Sequence, residues 1–367
     1  MESATPNSVI AIVAEAEPKA HLSPWQIFWQ RLKGRKIAMF GGGILIVLYT
    51  LSIFAGFISP YRYDHVGDNN YFHPPIWPKI SGFHLVVPHY QQLAGDFVYQ
   101  EVPNDTRPFR FFVRGDAYNL FGFIPTSIHL FGTGQANYPV YLLGTDQFGR
   151  DVLSRLLYGS QISLSIGIVG ILISFTLGML IGGISGYFGG ATDSIIMRWC
   201  ELIMSIPTLY LIIALRGTFP PDITSAQVYG MIIIIYSFIR WAGMARVIRG
   251  MTLSLNERQF VFAARSLGQS HLKIIIRHIL PNTFSYVIVA ATLSVPYYIL
   301  GEVDLSYLGV GIQEPSASWG LMLNAAQNID YLRNYPWLLA PGAAIFITVL
   351  AFNFLGDGLR DAADTKT

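Results

Sequence analysis

The 367-residue chain is 52% hydrophobic and 13% charged, against roughly 25% charge in a soluble globular domain, a deficit that points to a membrane protein. Its net charge of +2, with no dense basic stripe, argues against a nucleic-acid partner. Cys200 is the only cysteine, which excludes an intrachain disulfide or a cysteine-built metal site and reads as a small buried apolar residue.

Residues 1–36 do not read as a cleaved leader, because Glu2, Glu15 and Glu17 stand where a basic n-region belongs and the first apolar run begins at Ile37. Within them Ser23-Pro24, followed by Trp25, Ile27, Phe28, Trp29 and Leu32, predicts a capped helix with an apolar face. Arg31, Lys33 and Arg35 suit anionic headgroups, so residues 22–35 are expected to lie on the cytoplasmic membrane surface. A crossing helix needs about 20 largely apolar residues. The charge-free interval 37–61 supplies the first span over 37–58, ended by Pro60.

Residues 59–142 are polar, proline-rich and aromatic, and the runs 83–90 and 108–115 read as short strands. A structureless loop of that length is improbable, so an ordered, partly β cap outside the membrane is expected. Residues 156–192 supply a second span with a glycine-rich exit at Gly182, Gly183, Gly186, Gly189 and Gly190. A third is expected over 193–215, with Arg198 and Glu201 spaced to pair near its inner end. A fourth runs over 223–239, with Arg240 able to snorkel to the cytoplasmic surface. The fifth and sixth are expected over 279–301 and 334–356. The chain thus reads as an all-α polytopic membrane protein of six transmembrane helices, with a short tail at 362–367.

Lys and Arg in short loops set the orientation. Lys19, Arg31, Lys33, Arg35 and Lys36 precede the first span; Arg246, Arg249, Arg258, Arg265, Lys273 and Arg277 follow the fourth; Arg360 and Lys366 follow the sixth. The opposite short loops hold Arg216 and Arg333, so both termini are expected in the cytoplasm.

Residues 257–283 are too polar to insert. Good helix formers over 260–267, then Gly268 as a left-handed stop, then Ser270 as a cap predict a helix–turn–helix along the cytoplasmic face. Small Ala263 and Ala264 permit close approach of another protein, and Arg265, Lys273 and Arg277 can make charge-assisted contacts with it. On spacing alone an ordinary interfacial helix explains the segment as well.

This stretch resembles the cytoplasmic loop of permeases from binding-protein-dependent ABC importers, whose pattern is Glu-Ala-Ala, three residues, Gly, nine residues, Ile, any residue, Leu-Pro. Ala263, Ala264, Gly268, Leu280 and Pro281 match in register, while Phe262 replaces the Glu and His278 the Ile. Further likeness to the C-type subunit of dipeptide and oligopeptide importers lies in Gly144-Thr145-Asp146, Gly149-Arg150-Asp151, Ser318-Trp319-Gly320 and the run 352–361. The likeness covers about 22–58 and 143–364 and says little of the cap. It implies a transport domain over 143–361 carrying five helices and a coupling loop at 246–282. In it residues 259–272 would seat in a groove of a cytoplasmic ATPase, with Phe262, Ala263, Ala264, Arg265, Gly268, His271, Leu280 and Pro281 at or near the contact. It also implies a second homologous permease, two ATP-binding subunits that hold ATP and Mg, an external solute-binding protein, a peptide substrate and a bacterial inner-membrane location.

Glu302 and Asp304 end the fifth span at the outer face, where they could meet a peptide's amino terminus or a docked binding protein; the alternative is a solvated interfacial pair. Asp146, Arg150 and Asp151, bracketed by Gly144 and Gly149, read as a charge-paired external loop abutting a partner subunit rather than a catalytic cluster. The chain lacks a phosphate-cradling Gly-x4-Gly-Lys loop, a His-Glu-x-x-His cluster and a serine nucleophile elbow, so it reads as a transport subunit with no cofactor of its own. Nickel, glutathione and peptide antibiotics stay open as solutes. Two other classes stay open: a stand-alone secondary transporter, for which no repeat is visible, and an anchor whose cap does the work.

Overall fold

The computed structural model describes residues 23–67, 70–93, 97–135, 138–218, 220 and 223–364; the first 22 residues of the N-terminal segment and residues 365–367 of the tail lie outside them. Helix α1 (Pro24–Gly34) starts on a capping box, in which Gln26 N–H donates to Ser23 Oγ and Ser23 N–H to the Gln26 side chain. It turns at Arg35 into α2 (Lys36–Ile53), and a break at Phe54 leads to the short α3 (Ala55–Ile58). Leu32 of α1 is buried with Ala38, Leu359 and Ala362, and Arg35 pairs with Asp361 at 3.3 Å, so residues 32–38 are tied to residues 359–362.

Two small antiparallel sheets follow. Strands β1 (Lys79–Ser81), β2 (His84–Gln92) and β3 (Tyr99–Pro108) pair in that order; β4 (Arg110–Leu120) and β5 (Ile124–Gly132) form a separate hairpin. Both expected strands exist, and three more lie beside them. Ile76, Val87, Phe131, Val140 and Tyr141 form the cap's own core, and its polar groups surround a cavity of about 570 Å³.

Helix α4 (Val152–Phe188) is one unbroken 37-residue helix, which corrects the expected glycine-rich exit: Gly182, Gly183 and Gly186 are inside it. A Cβ at Gly182 would stand 2.4 Å from the Ala245 carbonyl oxygen, and one at Gly186 2.6 Å from that of Arg249. The Gly178–Gly182–Gly186 row therefore lets the backbone of α4 lie directly on its neighbour, as small residues four apart do in membranes. That neighbour, α7 (Ser225–Asn256), is also longer than expected. Arg246 and Arg249 belong to its last turns, so the loop expected over 246–282 begins only after Asn256.

Between them, α5 (Gly190–Met204) and α6 (Thr208–Thr218) replace the straight third span, bent by 72° at the break. Pro207 lacks an N–H and disfavours helical geometry at Ile206, which accounts for the bend. Arg198 and Glu201 pair at 2.9 Å on α5, as the spacing predicts. After α7 come α8 (Gln259–Ser266) and α9 (His271–Ile274), the latter running through a π turn and a 3-10 turn into α10 (Phe284–Tyr307). Short α11 (Trp319–Asn324) and α12 (Ile329–Asn334) precede α13 (Ala340–Ala363). Among the described residues five helices are long and apolar enough to cross a membrane, and six crossings result if the bent pair counts as one. The main core joins α4, α7 and α10.

Candidate functional site

The turn after α8 is built by hydrogen bonds that the sequence anticipates. Gly268 has φ +72°. Its N–H donates to the Arg265 carbonyl at 2.9 Å, and Gln269 N–H donates to that of Ala264 at 3.2 Å. This is the two-bond glycine stop that satisfies the last carbonyls of a helix. Ser270 sits at the head of α9 in extended geometry but makes no side-chain cap bond, so the second helix start rests on backbone alone.

Around this turn the side chains divide into an inner and an outer set. Val261 and Ala264 are buried, as are Ile274, Ile275 and Leu280. Leu280 and Ile275 lie over Gly183 of α4, within 3.1 Å of where a Cβ would be, so Leu280 secures the segment to the bundle. On the outer side Phe262 is 54% and Leu267 79% exposed, and Ala263, Gly268, His271 and Pro281 are exposed with them. The bare methyl of Ala263 and the side-chain-free Gly268 leave a shallow surface between two large apolar residues. Phe262, where the resembling pattern carries Glu, offers a ring with the Arg265 guanidinium 6.0 Å from its centre.

Arg265 is exposed and is also bonded inward, to partners that the sequence does not announce. Its Nε donates to Tyr187 Oη at 3.1 Å, a second nitrogen donates to Asn256 Oδ1 at 2.6 Å, and the guanidinium lies over the Tyr187 ring at 4.7 Å. Tyr187 Oη also meets His271 Nδ1 at 2.8 Å, and its carbonyl accepts from Asn256 Nδ2. Tyr187 is thus a bolt holding α8 and α9 to the ends of α4 and α7. Neither Tyr187 nor Asn256 carries a sequence signal, since both lie far from the motif in the chain. Close by, Asp193 of α5 accepts from Ser185 at 2.6 Å and forms a two-point pair with Arg249 of α7, one contact at 2.9 Å.

At the other end of the bundle the charged loop closes on its own chain. Arg150 Nε donates to Asp146 at 2.8 Å, and Arg150 pairs with both oxygens of Glu314, one at 2.9 Å. Buried Arg155 adds a contact to Glu314 at 3.2 Å and donates to the Tyr63 and Ser316 carbonyls. Asp151 caps α4 by accepting from Ser154 N–H at 2.7 Å and its hydroxyl at 2.6 Å. Burial pushes its carboxyl up to about 7, because taking a carboxylate out of water disfavours the charged form. Gly144 and Gly149 take φ +73° and +77°, as the turn reading requires.

Glu302 is neither solvated nor presented to the outside. It is fully buried between α4, α10 and α11, accepting from Ser163 at 2.9 Å and Ser306 at 2.7 Å, while Trp319 N–H donates to Ser163 Oγ at 3.2 Å. Asp304, two residues on, is exposed, so the structure separates a pair that the sequence treats together. Arg240 lies midway along α7 with its guanidinium 5.3 and 5.4 Å from the ring centres of Tyr297 and Tyr298.

Comparison with known proteins gives two family matches. Residues 178–367 match the binding-protein-dependent transport system inner membrane component, and residues 23–75 match the N-terminal TM domain of oligopeptide transport permease C. The chain is 33% identical to the dipeptide transport system permease protein DppC of Bacillus subtilis over 353 residues, 96% of this chain and 89% of that one. It is 45% identical to the oligopeptide transport system permease protein OppC of Haemophilus influenzae over 229 residues, 62% and 70% of the two chains. With the glutathione transport system permease protein GsiD of Shigella boydii it shares 32% identity over 359 residues, 98% and 96% of the two.

Proposed function

This chain belongs to the family of binding-protein-dependent transport system inner membrane components, and from that premise we propose that it forms half of the transmembrane pathway of a bacterial ATP-driven peptide importer. In this reading it sits in the cytoplasmic membrane with the bent pair counted as one crossing, both termini inside and the β cap outside. A second homologous permease completes the pathway, two ATP-binding subunits hold ATP and Mg, and an external solute-binding protein delivers the peptide. The chain itself transports and does not hydrolyse ATP.

The observation that carries this reading is the exposed, glycine-stopped helix at Gln259–Ser266. It offers Phe262, Ala263, Leu267 and Gly268 outward. Its inner side is fixed to α4 and α7 by Tyr187. A lever needs both properties: a shallow outer face for a moving groove, and a stiff link to the helices that line the path. When ATP closes the two ATPase chains, the groove would push this helix, and the Tyr187 bolt would pass the motion to α4 and α7. The test is uptake of labelled tri-alanine into vesicles holding the full importer. Uptake should need ATP, the binding protein and both ATPase chains; uptake by this chain alone without nucleotide would sink the reading. Glutathione is the second substrate to assay, because a relative matched over nearly its full length is a glutathione permease.

A further inference from the structure

Arg240 is the sixteenth residue of the 32-residue helix α7, about 22 Å from one end and about 24 Å from the other at 1.5 Å per residue. At about 48 Å the helix is longer than the roughly 30 Å hydrocarbon core, and Arg240 lies in the body of this membrane-crossing helix, six residues before Arg246. A charge inside such a helix is costly and is normally paired or placed on a solute path. Among the described residues its guanidinium packs on the Tyr297 and Tyr298 rings, and no carboxylate lies within ion-pair distance. Tyr298 is itself held, its hydroxyl 2.6 Å from Ser174 Oγ, whereas Tyr297 is 58% exposed. The guanidinium borders an open cleft of about 370 Å³, also lined by Ser294 and by Met204, Ile206 and Thr208 at the bend between α5 and α6. The positive group is therefore braced by aromatic faces, lacks a counter-charge and looks into space.

We propose that Arg240 is a carboxylate-receiving station in the translocation path, and that its ligand is the C-terminal carboxylate of the transported peptide; this rests on the peptide-importer reading above. The planar guanidinium matches a carboxylate two-point, and its flat faces stack on tyrosine without consuming its in-plane donors. Every free peptide carries one C-terminal carboxylate whatever its side chains, so this contact holds a peptide without reading its sequence. Two other sources offer the same chemistry, a lipid phosphate and an acidic side chain of the partner permease.

The experiment uses the assembled importer in vesicles with ATP, and supplies tri-alanine and tri-alanine amide each as a purified complex with the solute-binding protein, so that capture does not discriminate. Wild type should import the acid at least about tenfold faster than the amide, the scale of one charge-assisted contact. In Arg240→Gln that ratio should fall to near one. In Arg240→Lys, which keeps the charge and loses the fork, it should fall at least about threefold, and this variant carries the test if Arg240→Gln fails to assemble. A wild-type ratio near one, or a ratio unchanged by substitution, overturns the proposal. Equal loss of both peptides with the ratio preserved also overturns it, and assigns Arg240 to a lipid phosphate or to a carboxylate of the partner subunit. Failure of wild type to import either peptide with ATP is a different outcome, which refutes the importer reading itself.

Discussion

Replacing Gly268 by Val separates folding from coupling. Gly268 has φ +72°, and a Cβ built there meets no atom of the chain within 4 Å. The cost to folding is therefore backbone strain alone, about 1–2 kcal/mol for a non-glycine residue in the left-handed region and at the upper end for a β-branched one. Against a stability of about 5–15 kcal/mol for a folded domain, insertion and assembly should survive. The added bulk projects outward, where the ATPase groove is proposed to sit, so ATP-dependent uptake should collapse. Gly268→Asn resolves the two causes, because Asn tolerates this conformation yet adds comparable bulk. Both variants should reach the membrane in near wild-type amount, and both should lose most uptake in vesicles with all partners present. Normal uptake by both, with normal assembly, would refute the coupling assignment; loss in Val alone would place the effect in the turn's geometry and not in a partner's groove.

Four further outcomes follow from the same geometry. Tyr187→Phe removes the hydroxyl shared by Arg265 and His271 and should raise the ATP hydrolysed per peptide imported, measured as the ratio of phosphate release to uptake. Arg150→Met removes the nearer of two arginines beside buried Asp146, leaving Arg155 at 3.6 Å, and should cost about 1–3 kcal/mol, read as a lower melting temperature in detergent; no change would mean the loop is held otherwise. Gly182→Ala drives a methyl into the Ala245 carbonyl and should destabilise by about 1–3 kcal/mol or more, whereas the same change at Gly243, where nothing lies within 4 Å, should be near neutral. Asp151 has a folded-state pKa of about 7, above its ordinary 3.8. The folded chain therefore binds more protons between those values, and this group's contribution to stability falls as pH rises from about 4 to about 7, then levels. Asp151→Asn should flatten that part of the melting-temperature profile.

The membrane character, the helix ends near Pro60 and at Gly268 and the helix–turn–helix around Gly268 were legible because each depends on local composition or on one residue's backbone needs. The helix ends were less so. Gly182 and Gly186 read as a loop in sequence, yet their lack of a side chain serves close packing of α4 on α7, which is visible only once the neighbour is known. Arg246 and Arg249 read as loop charges, but α7 continues through them because Arg249 finds Asp193. Glu302 read as an interfacial carboxylate because nothing local announces Ser163, 139 residues away, as its donor. Arg265 also makes hydrogen bonds inward to Tyr187 and Asn256, which nothing in the local motif announces.

The most direct measurement of the lever is thiol protection at Ala263. Cys200 is the chain's only cysteine and is buried, so Ala263→Cys in a Cys200→Ser background gives one reactive site on the outer face of α8. In the lone chain a maleimide should label it rapidly. In the assembled importer with both ATPase chains, labelling should slow at least about tenfold, while a cysteine replacing exposed Phe83 of the cap labels at the same rate in both. Equal labelling of position 263 in the lone chain and in the active, ATP-hydrolysing assembly would show that no partner covers this helix and would contradict the account.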